Sequence, residues 1–293
     1  MRTKCVVGAI VILLSVSVPA GAQDTATIAG WNILGVDPIP EARIQNIAAT
    51  IARIDPDLIV LTEVNPDSVP ARIVEILGDD YAEPIILEQN DDVVQNIAFV
   101  FKRNVEVRNA RLIPRTNLAE EPRSRKALTA DVRIGNFDFV LIGVHLKSSR
   151  DAASRRKRSR QCAAIARFID QAVNGDEKDV LVIGDYNMIP REDDDTPNDE
   201  VNFFSLSPNN FLRFVSTDFL AGRTSHIDGC SPLRGNLLDG YAISRRFTRE
   251  YIPGSTRILS FGALGRQCSS FLNSVSDHLP LVSHFQIDGE DDD

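Results

Sequence analysis

Cysteine is scarce, with four residues in 293, and no two stand in a Cys-x-x-Cys spacing, which excludes a metal site built from paired thiolates. No apolar run after the N-terminal stretch reaches membrane-spanning length, which excludes a bundle of transmembrane helices. Internal repeats and long Pro/Gly/Ser linkers are also missing, which argues against a solenoid or a string of small domains. Positive charge is short as well: 32 basic residues face 41 acidic ones, a formal net charge of −9. Such a surface does not gather polyanions by bulk attraction, so any phosphate binding must be local.

The first 22 residues have the form of a secretory leader. Arg2 and Lys4 precede an apolar run from Val6 to Val18, and Ala20-Gly21-Ala22 is a small-x-small cleavage pattern. Cleavage near Ala22/Gln23 would release a secreted or periplasmic chain at −11, since two basic residues leave with the leader. An uncleaved anchor is the alternative, although the run is short for one. Three cysteines then remain. Cys162 lies in a helical, apolar context and reads as a buried thiol. Cys230 and Cys268 sit among Gly, Ser and Pro in loops and make the better disulfide pair in an oxidising compartment.

From Gln23 onward strand-like and helix-like stretches alternate, which predicts one α/β domain over 23–293 ending in an acidic tail at 289–293. Strands are expected at Thr27 to Asn32, Leu58 to Leu61, four successive runs between Ile97 and Leu146, Val180 to Ile183, Leu237 to Ser244, Thr256 to Phe261 and Leu279 to Ile287. Helices are expected from Ile44 to Ile54, Val69 to Leu77 and Ser154 to Val173. Residues 188–235 read as long surface loops with short elements. Successive strands joined by short turns imply antiparallel pairing beside the parallel crossovers, hence mixed sheets.

Polar residues collect where the apolar strands end. Asn32, Glu63, His145, Asp185 with Asn187, Asp239, and Asp277 with His278 all fall there. Strand ends are where α/β folds gather ligand groups. The set is rich in hard oxygen donors with two imidazoles, and it contains no Ser or Cys nucleophile. Carboxylate and amide oxygens suit Mg²⁺ or Mn²⁺, and an imidazole beside a carboxylate can take a proton from water. The chemistry indicated is metal-assisted hydrolysis of a phosphate ester by direct attack of water. Singly, each residue has an ordinary alternative as a turn cap, ion pair or core histidine. His226 and His284 are left as ordinary residues. Asp228 competes with Asp239 as an imidazole partner, with Asp239 in the better strand context.

The ordered blocks Gly30-Trp31-Asn32, Leu61-Thr62-Glu63-Val64, Gly143-Val144-His145-Leu146-Lys147, Gly184-Asp185-Tyr186-Asn187, Leu238-Asp239-Gly240-Tyr241 and Ser276-Asp277-His278-Leu279-Pro280 resemble the endonuclease/exonuclease/phosphatase superfamily. The resemblance implies a four-layer α/β/β/α sandwich of two mixed β-sheets flanked by helices, similar to deoxyribonuclease I. It implies Glu63, Asn32 and Asp277 as metal ligands for Mg²⁺, with Mn²⁺ as the alternative. His278 would activate water, oriented by Asp239. Asp185 and Asn187 would hold the water and the scissile phosphate, and His145 would bind or protonate a phosphate oxygen. Arg125, Lys147, Asn32 and Asn187 would contact phosphate. Where deoxyribonuclease I-like members partner the His145 position with a carboxylate, this chain offers Gln95 and Asn96, which favours hydrogen bonding over proton donation by His145.

The expected activity is a divalent-metal-dependent phosphodiesterase, foremost a nuclease of low sequence specificity acting as a monomer. A phosphatase or phospholipase C-type hydrolase acting on small molecules or lipid head groups is the second reading, and a catalytically silent binding module of the same fold the third. No exposed aromatic hairpin or second membrane-binding segment is evident, so stable membrane association after cleavage is not expected. Arg155, Arg156, Lys157 and Arg158 at the start of the long helix read first as a solvated face and second as a polyanion contact.

Overall fold

The computed structural model describes residues 24–89, 95–118, 120, 124–173, 178–188, 200–220 and 223–289. The leader, its cleavage point and the acidic end beyond Gly289 lie outside the described residues.

The chain opens with β1 (Thr25–Asn32), α1 (Glu41–Ile54), β2 (Leu58–Val64) and α2 (Val69–Leu77), followed by β3 (Ile85–Ile86) and β4 (Asn96–Phe101). Next come β5 (Glu106–Leu112), β6 (Leu128–Ile134), β7 (Phe137–His145), α3 (Ala152–Ala172) and β8 (Val180–Asp185). After α4 (Glu200–Leu206), β9 (Leu212–Phe214) and α5 (Val215–Leu220), a hairpin forms from β10 (His226–Cys230) and β11 (Leu233–Asn236). The end of the chain supplies β12 (Asp239–Ser244), β13 (Arg257–Ile258), α6 (Cys268–Ser274) and β14 (Leu281–Gln286).

Two six-stranded sheets result, ordered β13-β14-β1-β2-β4-β3 and β5-β6-β7-β8-β12-β9. Within them β1 and β2 run parallel, as do β7 and β8, while the remaining pairs are antiparallel. Strand periodicity explains the layering. In β2, Leu58 and Val60 face the second sheet while Ile59 and Leu61 face α1 and α2. In β8, Leu181 and Ile183 face the first sheet while Val180 and Val182 face α3. Each strand is therefore apolar on both faces, as the runs Leu58 to Leu61 and Val180 to Ile183 require. The order helix, sheet, sheet, helix is the four-layer sandwich.

The structure also redraws some boundaries. Of the expected strand Thr256 to Phe261, only β13 pairs, because Phe261 turns away to pack on Phe271 of α6. Cys268 begins α6 rather than lying in a loop, and Cys230 ends β10. The two cysteines form a disulfide, and Cys162 is buried and takes no part in it. No helix among the described residues is long and apolar enough to cross a membrane.

Candidate active site

Three neighbouring strands of the second sheet end in register. His145 of β7 stands opposite Asp185 of β8, and Asp185 stands opposite Asp239 of β12. The first sheet brings Asn32 at the end of β1 beside Thr62, with Glu63 next along β2. A register break between Leu61 and Val64 and a left-handed Glu63 backbone, φ +55°, turn the Glu63 side chain out of the strand's alternation into the site. Asp277 and His278 arrive from the segment before β14, where His278 bridges to the backbone of His226.

Glu63, His145, Asp185, Asp277 and His278 line a cavity of about 390 Å³ together with Arg125, Lys147, Asn187 and His226, with Asn32 and Asp239 behind them. Asp239 Oδ2 lies 2.7 Å from His278 Nδ1, so the imidazole's other nitrogen faces the cavity and comes within 4.0 Å of Asp185 Oδ2. His145 Nε2 sits 3.7 Å from Glu63 Oε1 and 3.6 Å from Asp185 Oδ2. Asn32 donates its amide to Glu63 Oε1 at 3.0 Å and to Asp185 Oδ2 at 3.1 Å, while its own oxygen accepts the Leu34 N–H. Its oxygen is therefore engaged with the backbone rather than presented with the carboxylates, and Asn32 acts here as the donor that ties two carboxylates together.

Asp185 and Asn187 do not share an extended backbone. The strand stops at Asp185, Asn187 is left-handed at φ +50°, and its N–H donates to Asp185 Oδ1 at 2.8 Å. An Asx-type turn and a shared site coexist. Gly184 makes this bend possible: at φ +141° a Cβ would lie 2.0 Å from the Val144 carbonyl oxygen.

Electrostatics separate the two expected imidazoles. Burial holds His145 well below the usual histidine range, and nearby Arg125 and His278 push the same way. Burial also opposes charge on His278, yet Asp239, through its charge and hydrogen bond, carries that imidazole up to about 10. Burial raises the Asp185 carboxyl to about 7, against the pull of His278. Gln95 forms a relay, accepting from Arg125 Nη1 at 3.0 Å and donating to Glu63 Oε2 at 3.0 Å. Asn96 turns instead to Asp67.

The donor set fits a hard divalent cation. Ligand atoms of Glu63, His145 and Asp185 lie within 4.8 Å of one another, and Asp277 Oδ1 is buried with no hydrogen-bond partner. Sequence reasoning missed His226, whose Nε2 lies 3.7 Å from Asp277 Oδ2 and whose ring meets that of His278 at 4.8 Å between centroids. Its only sequence signal is the neighbouring Asp228, which approaches His226 and not His278.

Arg158 corrects the reading of the basic run as one contact surface. It is 1% exposed, and its Nη1 donates to the carbonyls of Lys147 and Ser149 at 2.7 Å each. It braces the loop that follows His145 and is withdrawn from any polyanion surface. Arg156 remains exposed on the other face of the helix.

A sequence model described as the Endonuclease/Exonuclease/phosphatase family matches residues 29–278. The chain is 27% identical over 180 residues to mouse tyrosyl-DNA phosphodiesterase 2, a match covering 59% of this chain and 45% of that protein. Among solved structures, truncated tyrosyl-DNA phosphodiesterase 2 (TDP2) of Caenorhabditis elegans superposes with a TM-score of 0.64 at 17% identity, covering 89% of this chain and 98% of that one. A Neisseria 3′ phosphatase, NExo, bound to a product DNA hairpin gives 0.66 at 15% identity over 89% and 99%. These likenesses carry the fold.

Proposed function

The chain belongs to the endonuclease/exonuclease/phosphatase family, and on that premise we propose that it hydrolyses phosphodiester bonds in nucleic acid with a bound Mg²⁺ or Mn²⁺. The observation that carries the reading is the Asp239–His278 pair facing Asp185 across the cavity floor, with Glu63 at its edge. Water attacks phosphorus, a P–O bond to water forms, and the bond to the leaving oxygen breaks. The Asp185–His278 pair receives the water proton. Asp239 orients the imidazole and stabilises its charge through Nδ1. Neutral His145, Asn187, Lys147 and Arg125 bind and orient the non-bridging oxygens, where charge grows in the transition state. A cation held by Glu63, Asp185 and Asp277 would supply Lewis-acid stabilisation of that charge.

The names of the relatives favour a DNA-related ester over a lipid head group. A panel of single-stranded and duplex DNA, RNA, DNA with a 3′ phosphate, inositol phosphates and sphingomyelin tests this, each with Mg²⁺, Mn²⁺ or EDTA. We expect cation-dependent cleavage of the polynucleotides. Turnover confined to the inositol phosphates or sphingomyelin would overturn the substrate assignment, and no turnover of any would overturn the enzyme reading.

We further propose export, with processing near Ala22. The leader pattern and the Cys230–Cys268 disulfide support it. N-terminal sequencing of the exported protein should start near Gln23, and retention of the leader would reject it.

A further inference from the structure

Two adjoining clefts, of about 310 and 330 Å³, run beside the active site between α3 and the loop after β5. Arg115 and Arg167 line both, and Arg160 lines the first. All three are exposed. Arg160 is paired with Glu120, the one carboxylate lining the clefts among the described residues. Arg115 and Arg167 make no ion pair among the described residues. At the far end the Arg111 guanidinium lies 5.3 Å over the ring of Phe168, which lines the second cleft. On a chain of net charge −9 this is a local concentration of positive charge with a shape to match.

The groove is joined to the active site through shared walls. Gln161, next to Arg160 on α3, lines the active-site cavity and donates to the Thr116 carbonyl, in the loop whose outer side carries Arg115. The Gln161 oxygen accepts the N–H of Lys147. Leu118, which lines the groove, donates its N–H to Ser124, which lines the cavity. Arg160 and Arg167 are seven residues apart on one helix face, about 10 Å of axis. That spans about three nucleotides of one strand at roughly 3.4 Å of rise each.

We propose that this groove binds the phosphate backbone of a nucleic-acid strand whose scissile phosphate lies in the active site, so that polynucleotides gain binding that isolated phosphodiesters do not. The proposal rests on the phosphodiesterase reading of the site. Guanidinium groups without carboxylate partners are suited to phosphate oxygens. The contacts would be to backbone alone, giving affinity and register without base preference. A membrane surface fits less well, because none of the exposed large apolar residues among the described ones, Ile76, Phe204 and Leu233, lines the clefts.

Anisotropy of a fluorescein-labelled single-stranded 12-mer in EDTA, across a potassium chloride series, reads the groove without turnover. Arg115→Ala/Arg167→Ala should bind at least tenfold more weakly at low salt, with a log–log salt slope shallower by about 1.4, two phosphate contacts at about 0.7 each. Arg115→Lys/Arg167→Lys should recover most of the slope. In Mg²⁺ the double alanine variant should hydrolyse bis(4-nitrophenyl) phosphate as the wild type does, because that substrate is too small to reach the groove. An unchanged slope and affinity would overturn the proposal, as would binding of the same arginines to phosphatidylserine vesicles with none to the oligonucleotide. Failure of the phosphodiesterase reading would look different: no turnover by the wild type, with the difference in oligonucleotide binding intact.

Discussion

Asp185 and His278 meet with Oδ2 and Nε2 4.0 Å apart in a buried pocket, and their proton affinities pull stability in a defined direction. Burial raises Asp185 from 3.8 to about 7, so below pH 7 the folded chain holds a proton that the unfolded chain loses above about pH 4. Stability therefore falls as pH rises through that window. His278 is opposed by burial but lifted by Asp239 from 6.5 to about 10. Its contribution is complete below 6.5 and is lost as pH rises through 10. Thermal unfolding in EDTA should show both limbs. Asp185→Asn should flatten the fall between about pH 4 and 7. His278→Ala should flatten the alkaline limb and lower turnover at least ~10²-fold. If both variants track the wild type across the whole pH range, this account of the pair is wrong.

At the scale of elements, the second half of the β7-to-α3 connection is held from within the helix. Asp151 caps α3 by accepting the N–H groups of Ala153 and Ser154, and two turns later Arg158 reaches back to the Lys147 and Ser149 carbonyls. Arg158→Met keeps the apolar stem but leaves two carbonyls without donors, a loss of about 3–5 kcal/mol. Denaturant titration should show it, with a raised KM for oligonucleotide as the Lys147 loop loosens. Arg156→Met, on the exposed face, should stay within about 0.5 kcal/mol, and equal effects of the two would reject the brace. The sequence hid this brace because Arg158 stands in a run of basic residues, and composition cannot say which member of a helix turns inward. It showed α1, α2, α3 and the core strands well, since Ile44, Ile47, Ile51 and the Leu58 and Val180 runs have clear periods. The β10–β11 hairpin and α6 were not legible. His226 to Cys230 lacks apolar alternation, and α6 is a seven-residue helix anchored by Phe271 against Trp31 and by the disulfide. Tertiary contacts decide such elements, and His226 was lost with them.

For the whole molecule, the site is a seam. Glu63 belongs to the first sheet, Asp185 to the second, and Asp277 precedes the last strand of the first. The strand-end rule found these residues because each ends or precedes a strand, and the rule holds whichever sheet the strand joins. It could not say that Asn32 would bond both Glu63 and Asp185, because that contact exists only once the two sheets are packed. A cation bound at this seam links the two halves of the sandwich and binds only the folded state. Mg²⁺ or Mn²⁺ should therefore raise Tm with concentration, by the equivalent of about 2.7 kcal/mol at a hundredfold excess over Kd. EDTA should reverse the rise. Glu63→Gln keeps the shape and removes the charge, so its Tm should respond weakly to either ion while its own Tm in EDTA stays at or above that of the wild type, since one of several crowded carboxylates is neutralised. A wild-type Tm indifferent to both ions at concentrations that support turnover would place the cation away from the seam, and with it the reason these carboxylates gather where the sheets meet.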